Sequence, residues 1–231
     1  MESSPYSQRS MDEVEELADE FNLHYFRTAR YSLTLPIPVE DMAEHHLGYS
    51  IYLRDDGLFA DPEFLGGIDF DQNEIYVNAS IEDHDGRYSF TVAHEIGHHV
   101  LHREVYLEIN KVGDKQILCR DTGDKPHIEI EADRFAAALL MPSKAIQDAI
   151  AVIKPKGKVT TIGQVRGFAS RLIKDGGFEN VSNTAMINRL VDLDIISSSI
   201  GYQDGRYNKR KRRPSITWLL NRALNKFKFW A

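Results

Sequence analysis

The sequence predicts an α+β fold that is mainly helical, with a small β-sheet beside two long helices and a helical subdomain after them. Apolar residues recur at helical spacing through most of the chain, and short strand-like segments occur only within residues 49–78. At 231 residues and 42% hydrophobic, the chain can bury a substantial core. No stretch reaches the roughly 18 consecutive apolar residues of a membrane span, so we expect no membrane partner.

The predicted elements follow one another without any internal repeat. A strand at residues 49–53 precedes a hairpin formed by residues 65–71 and 74–78 around Gln72 and Asn73. Helices are predicted at residues 12–26, 39–46, 88–102, 126–140, 143–153, 162–173 and 182–193, with a last one from 215 or 216 to about 227.

Two irregular segments separate these helices. Residues 103–125 hold turn residues with little periodicity and predict a loop. The Pro-, Gly- and Lys-rich residues 155–158 predict a boundary. It divides the chain into a domain at 1–154, a helical subdomain at 155–208 and a basic tail with a terminal helix at 209–231.

Charge and cysteine content bear on compartment and partners. The formal charge is −7, and the segment from Lys209 onward holds eight basic residues and no acidic one, so the preceding 208 residues carry −15. This acidic body favours a basic protein partner over a nucleic-acid duplex. A single cysteine and the absence of a signal-like N-terminus predict a cytoplasmic protein.

Residues 94–98, His-Glu-Ile-Gly-His, form the most informative pattern. On a helix, His94 and His98 project from one face about one turn apart, so both imidazoles can bind one zinc ion. Glu95 lies about 100° around the helix, where it can act as general base on a metal-activated water. Apolar residues cover much of the remaining helix surface, so we expect the helix to be buried and its ionisable groups to need partners.

A zinc hydrolase needs a third protein ligand and an open position for water. A third histidine on the same helix is disfavoured, because Leu101 and Glu104 stand where that pattern requires Gly and His. A second helix offers Glu129 or Glu131. We favour Glu129, because it shares a face with Asp133, which can then accept a hydrogen bond from a ligand histidine. Glu131 points about 160° away and is predicted to be exposed or paired elsewhere.

Two blocks of the sequence resemble the ImmA/IrrE metallopeptidases. Residues 87–98, RYSFTVAHEIGH, are similar to the family pattern R-F-T-x-A-H-E-x-G-H, and residues 129–142, EIEADRFAAALLMP, to E-x-E-A-x-x-F-A-A-x-L-L-M-P. Residues 38–44 and 180–190 resemble its flanking elements, so the similarity runs from about 36 to 196. Residues 103–125 and the tail depart from the family pattern.

The resemblance implies a gluzincin-like zinc metallopeptidase core at 1–154. Family members are endopeptidases that cleave repressors of the helix-turn-helix type and so relieve repression. Their two motif histidines and the first glutamate of the second block bind zinc, which maps onto His94, His98 and Glu129; the motif glutamate maps onto Glu95. Zinc is the expected metal, one ion per chain, with manganese as the alternative in the cell.

Further residues are candidates for lesser roles. Tyr88, His102 and His127 are candidates to stabilise the transition state or support a ligand, whereas His99 is predicted to face away from the metal. Cys119 is a candidate redox or latency switch, although a small buried thiol is the simpler interpretation.

Two other functions stay open at this stage. Residues 162–193 could form a helix-turn-helix that reads DNA, with Asn183, Thr184, Met186 and Arg189 towards the groove, but residues 155–208 are only weakly basic, so direct DNA contact is not favoured. The chain could also be a toxin–antitoxin component with a non-catalytic metal site. The intact Glu95 favours the peptidase, because metal binding alone does not require it.

Overall fold

A computed structural model describes residues 7–62, 64–112, 127–155 and 159–197. The elements are α1 (Met11–Thr28), α2 (Val39–Asp41, continued by a wider turn at Met42–His46), β1 (Ser50–Arg54), β2 (Gly66–Asp69), β3 (Glu74–Asn78), α3 (Asp85–Val112), α4 (His127–Leu140), α5 (Ser143–Ile153), α6 (Ile162–Gly176) and α7 (Asn183–Asp192). The predicted α+β, mainly helical class is confirmed.

The three strands form one sheet in the order β1-β3-β2. The predicted hairpin is correct: β2 and β3 are antiparallel, and the Asp69 side chain accepts from the backbone amides of Asp71 and Gln72 in the turn. The first strand pairs with β3 in parallel. In the described part of the chain, β2 therefore forms one edge of the sheet.

Helix α3 is longer than predicted at both ends. It begins at Asp85, and it continues to Val112, so the loop predicted from residue 103 is wrong for residues 103–112. The aromatic ring of Tyr106 packs on Phe70, with ring centroids 4.8 Å apart. This contact joins the part of α3 after residue 102 to the hydrophobic core. The rest of the predicted loop lies outside the described residues.

Helix α4 packs against both α1 and α3 and lies within the core. It ends at Leu140, as Pro142 predicts, and α5 begins directly afterwards. Across the four described ranges, no single helix combines the length and apolar composition needed to cross a membrane; only α4 and α5 taken together, bent by 46°, meet both criteria.

Helices α6 and α7 share their core with the rest of the molecule. Thr161 caps α6 in a reciprocal capping box with Gln164, and Gly177, at φ 84°, ends the helix. Phe168 and Leu190 belong to the same hydrophobic cluster as the core of α3 and α4. The predicted division at 155–158 stays a prediction, and the tail with its terminal helix lies outside the described residues.

Helix α1 is held from two sides by polar contacts. The Asn22 amide donates to the carbonyl of Leu139 at the end of α4, at 3.1 Å. From α7, the buried guanidinium of Arg189 donates to both carboxylate oxygens of Glu15 and, through Nε, to the Met141 carbonyl. One arginine therefore joins α1, α7 and the turn between α4 and α5.

Candidate metal centre

His94 and His98 occupy successive turns of α3, and their Nε2 atoms face each other. Their Nε2 atoms are 3.0 Å apart, and the residues are 8% and 7% exposed. The helix around them is buried, as its apolar residues predict, with Val92, Ala93 and Ile96 fully enclosed. Two imidazole nitrogens this close need a proton or a cation between them, since neither neutral lone pair can satisfy the other.

Glu129, in the first turn of α4, completes the cluster. Its Oε2 lies 3.3 Å from His94 Nε2 and its Oε1 lies 3.3 Å from His98 Nε2. The three residues together offer ligand atoms that all lie within 4.8 Å of one another. A tetrahedral ion with bonds of about 2.0–2.1 Å separates its ligand atoms by about 3.3 Å, so the arrangement fits a zinc-sized ion.

Close packing of two helices brings these three side chains together. A Cβ built on Gly97 would lie 3.2 Å from both the Cα and the carbonyl oxygen of Ala132, so a glycine and an alanine set the spacing of α3 and α4. Ala132 is one of several small residues of α4 that permit this close approach.

Asp133 lies one turn beyond Glu129 and supports His94. Its Oδ1 is 3.0 Å from His94 Nδ1, which leaves Nε2 for the metal side. Burial opposes a charged ring, but Asp133 and Glu129 outweigh it and raise the pKa of His94 to about 10. Burial likewise opposes a charged Glu129, whereas His98 and His94 hold its pKa well below the usual range. The cluster is thus built to hold positive charge between two carboxylates.

Glu95 is 2% exposed, and its Oε1 has no hydrogen-bond partner among the described residues. Burial raises the pKa of this carboxyl, although His94 and His98 counteract the effect. Gly66 at the start of β2 lies beside it: a Cβ there would be 3.5 Å from Glu95 Oε1. A buried carboxyl with one unpartnered oxygen beside two histidines is compatible with a general base.

His102 and Glu131 lie on the far side of His98. The Nδ1 atoms of His98 and His102 are 3.0 Å apart, and His102 Nε2 is 3.5 Å from Glu131 Oε2. Burial and the neighbouring His98 lower the pKa of His102 to about 2, so its ring is neutral. Glu131 is 1% exposed and pairs with Arg9, so of the two predicted alternatives it is paired elsewhere rather than exposed.

The other sequence candidates occupy different surroundings. The Tyr88 hydroxyl donates a hydrogen bond to the carboxylate of Glu40. Burial, together with this hydrogen bond, raises the pKa of Tyr88. His99 Nδ1 lies 2.8 Å from the Tyr49 hydroxyl, and burial, with Arg103 nearby, lowers the pKa of His99 to about 4. His127 is exposed at the first position of α4. Cys119 lies outside the described residues.

The arrangement of α7 bears on the DNA-reading alternative. Met186 is fully buried and Arg189 is 4% exposed and engaged with Glu15, so these two side chains do not face a groove. Their burial matches the other sequence interpretation, in which this subdomain packs on the peptidase.

Comparison with known families decides the classification. The model of the IrrE N-terminal-like domain, which defines the M78 peptidases, matches residues 33–164. The chain belongs to this family. The match confirms the ImmA/IrrE resemblance seen in the sequence motifs, and the protein has a metallopeptidase-type function. No curated protein matches the chain significantly.

The IrrE-like match spans both helices that carry the ligand cluster, together with the sheet and α5. Helices α1 and α7 lie outside it, yet Arg9, two residues before α1, contacts Glu131 beside the cluster. Sequence reasoning missed this contact, because no local pattern links residue 9 to residue 131. The one local signal was Glu131, the second glutamate of the E-x-E-A motif, but the motif does not show which residue pairs with it.

Proposed function

We propose that the protein is a zinc-dependent endopeptidase that cleaves one regulatory protein, a helix-turn-helix repressor, and thereby relieves repression. The observation that carries this proposal is Oε1 of Glu95, which is buried without a hydrogen-bond partner among the described residues and lies beside His94, His98 and Glu129. Burying such a group without a partner costs about 1–3 kcal/mol, a cost that a purely structural metal site has no reason to bear.

Each residue of the cluster has a definite task in this proposal. His94, His98 and Glu129 hold the ion, and Asp133 fixes the ring of His94. A bound zinc ion supplies Lewis acidity, which lowers the pKa of water and polarises a peptide carbonyl. Glu95 Oε1 accepts the proton of the attacking water and then delivers it to the leaving amide nitrogen. The raised pKa of Glu95 suits both steps.

Strand β2 is the proposed docking edge for substrate. It is an edge strand of the described sheet, and Gly66 at its start lies beside Glu95. An extended peptide that adds to this edge through backbone hydrogen bonds would pass close to the general base. The cut therefore falls in an exposed loop or linker, because only an extended segment can pair in this way.

Charge supports a basic substrate. The 208 residues before the basic tail carry −15, and DNA-binding repressors carry a basic face, so attraction between them accelerates association and weakens with salt. Meeting a repressor also requires a shared compartment, and the single cysteine supports the cytoplasm.

Incubation of the zinc-loaded protein with the repressor encoded next to its gene tests the proposal. We expect one major cut, a rate that falls as salt rises, and no cleavage by the Glu95→Gln variant. Unfolded casein serves as a control substrate, and manganese replaces zinc in a parallel reaction.

Two results would contradict the proposal. If casein is digested as fast as the repressor, the protein does not select the repressor as its substrate. Metal binding without cleavage of any tested repressor, together with salt-sensitive DNA binding by the intact chain, would favour the DNA-binding alternative instead.

A further inference from the structure

Glu131 is a buried carboxylate that does not face the ligand cluster. Arg9 meets it twice: the backbone amide donates to Oε1 at 2.9 Å, and guanidinium Nη1 lies 3.4 Å from Oε2. Oε2 also lies 3.5 Å from His102 Nε2. A carboxyl group that is 1% exposed needs hydrogen-bond donors such as these around it.

His102 connects this carboxylate to a proposed metal ligand. When His98 binds an ion through Nε2, its proton must be on Nδ1, and the atom 3.0 Å away is His102 Nδ1. For that bond to form, His102 Nδ1 must accept, so its own proton is on Nε2, facing Glu131. The series therefore runs from His98 through His102 to Glu131, with a hydrogen-bond distance of 3.0 Å at its first step and a longer contact of 3.5 Å at its second.

The first residues of α1 hold Arg9 in place. Ser10 caps the helix in a reciprocal capping box with Glu13, and α1 packs along α4, so the backbone amide of Arg9 is fixed relative to Glu131. These residues lie outside the matched family domain at 33–164.

We propose that His102, Glu131 and Arg9 are positioning residues for the metal ion, and that they hold the His98 ring in the tautomer and orientation that bind it. The N-terminal helix, outside the family domain, is thereby part of the metal centre. This inference rests on the metal site proposed above. His94 has Asp133 for the same purpose, so each ligand histidine has its own support.

Metal affinity, measured by competition with a chromophoric chelator, tests the proposal without any substrate. Loss of a partner that orients a ligand histidine lowers metal affinity by about 10–100-fold. We expect a loss of that size for His102→Leu and Glu131→Gln. His102→Asn places an amide oxygen near the Nδ1 position, so we expect it to recover most of the affinity. Glu16→Gln, on the exposed face of α1, is the matched control and should leave affinity unchanged.

The N-terminal contribution is tested separately. Arg9→Pro removes the backbone amide, whereas Arg9→Ala keeps it, so we expect the proline variant to lose more affinity than the alanine variant. The visible spectrum of the cobalt-substituted protein reports ligand geometry, and it should change in Glu131→Gln and not in Glu16→Gln.

Distinct outcomes separate the possible failures. Wild-type affinity and cobalt spectrum in His102→Leu and Glu131→Gln, with only the melting temperature of the metal-free protein lowered, would overturn the inference and leave a packing role. If Arg9→Pro binds metal with wild-type affinity, the N-terminal helix does not contribute to the metal centre. A wild-type protein that binds no metal would instead refute the proposed function.

Discussion

Gly97 on α3 and Ala132 on α4 touch at the level of the ligand cluster, where a Cβ on Gly97 would lie 3.2 Å from the Ala132 backbone. His98 directly follows Gly97, and Glu129 lies three residues before Ala132. The spacing of the two helices at this contact therefore sets the distance between the His98 ring nitrogen and the Glu129 carboxylate.

Replacing Gly97 with alanine should separate α3 from α4. Overpacking of a tight contact costs about 1–3 kcal/mol, and we expect the metal affinity to fall with the free energy of unfolding. Gly167→Ala is the control, because that glycine lies on α6 with open space around it, and there alanine should stabilise by about 0.5–1 kcal/mol. Unchanged metal affinity in Gly97→Ala would show that the contact does not set the ligand spacing.

The Glu95→Gln variant should retain its metal and lose peptide cleavage. Glutamine keeps the shape of the side chain but cannot accept and return a proton, and loss of a general base costs about 100–10,000-fold in rate. Metal content and kcat are measured on the same preparation, with Glu104→Gln, an exposed position on the same helix, as control. A glutamine variant that cleaves at the wild-type rate would exclude Glu95 as the base.

Metal removal should lower the melting temperature. A ligand present at 1,000 times its Kd stabilises a protein by about 4 kcal/mol, which for a chain of this size corresponds to about 8–16 °C. Chelation followed by calorimetry should show this decrease, and added zinc should reverse it. Glu129→Gln should respond little to either treatment; a full response in that variant would remove Glu129 from the ligand set.

Gly66→Ala should impair cleavage while metal binding is retained. A Cβ at this position would lie 2.3 Å from Thr91 Cγ2 and 2.9 Å from the Tyr76 carbonyl, so β2 must shift away from Glu95. Misplacement of a substrate by about 1 Å can cost on the order of 100-fold in rate. Steady-state kinetics beside metal titration checks this, and normal kcat/KM in the variant would argue against β2 as the docking edge.

Arg189→Met should destabilise the whole molecule. It removes the donors that join α1, α7 and the α4–α5 turn. Breaking a buried ion pair costs about 3–5 kcal/mol, and we expect the lower end because water reaches Glu15, whose side chain is 29% exposed. Urea unfolding measures the change, with exposed Lys174→Ala as control. A loss below about 0.5 kcal/mol, typical of surface sites, would contradict this structural role.

Local patterns predicted most elements, because periodicity, caps and turn residues act over a few positions. The hairpin around Gln72 and Asn73 and the break at Pro142 are examples. Residues 103–112 were mistaken for a loop, because their helical state depends on Tyr106 packing against Phe70, which is remote in sequence. Likewise, neither strand carries a local sequence pattern that predicts the parallel pairing of β1 with β3.

Local residue patterns were enough to identify the family and to predict the grouping of His94, Glu95 and His98, because their spacing is a property of one helix. The groups that surround these residues, in contrast, are set by packing across the fold. Glu131 is paired with Arg9, 122 residues away, and His102 stands between Glu131 and His98. Helix periodicity gives the direction of a side chain but not the element that covers it, and that element is chosen by packing across the whole chain.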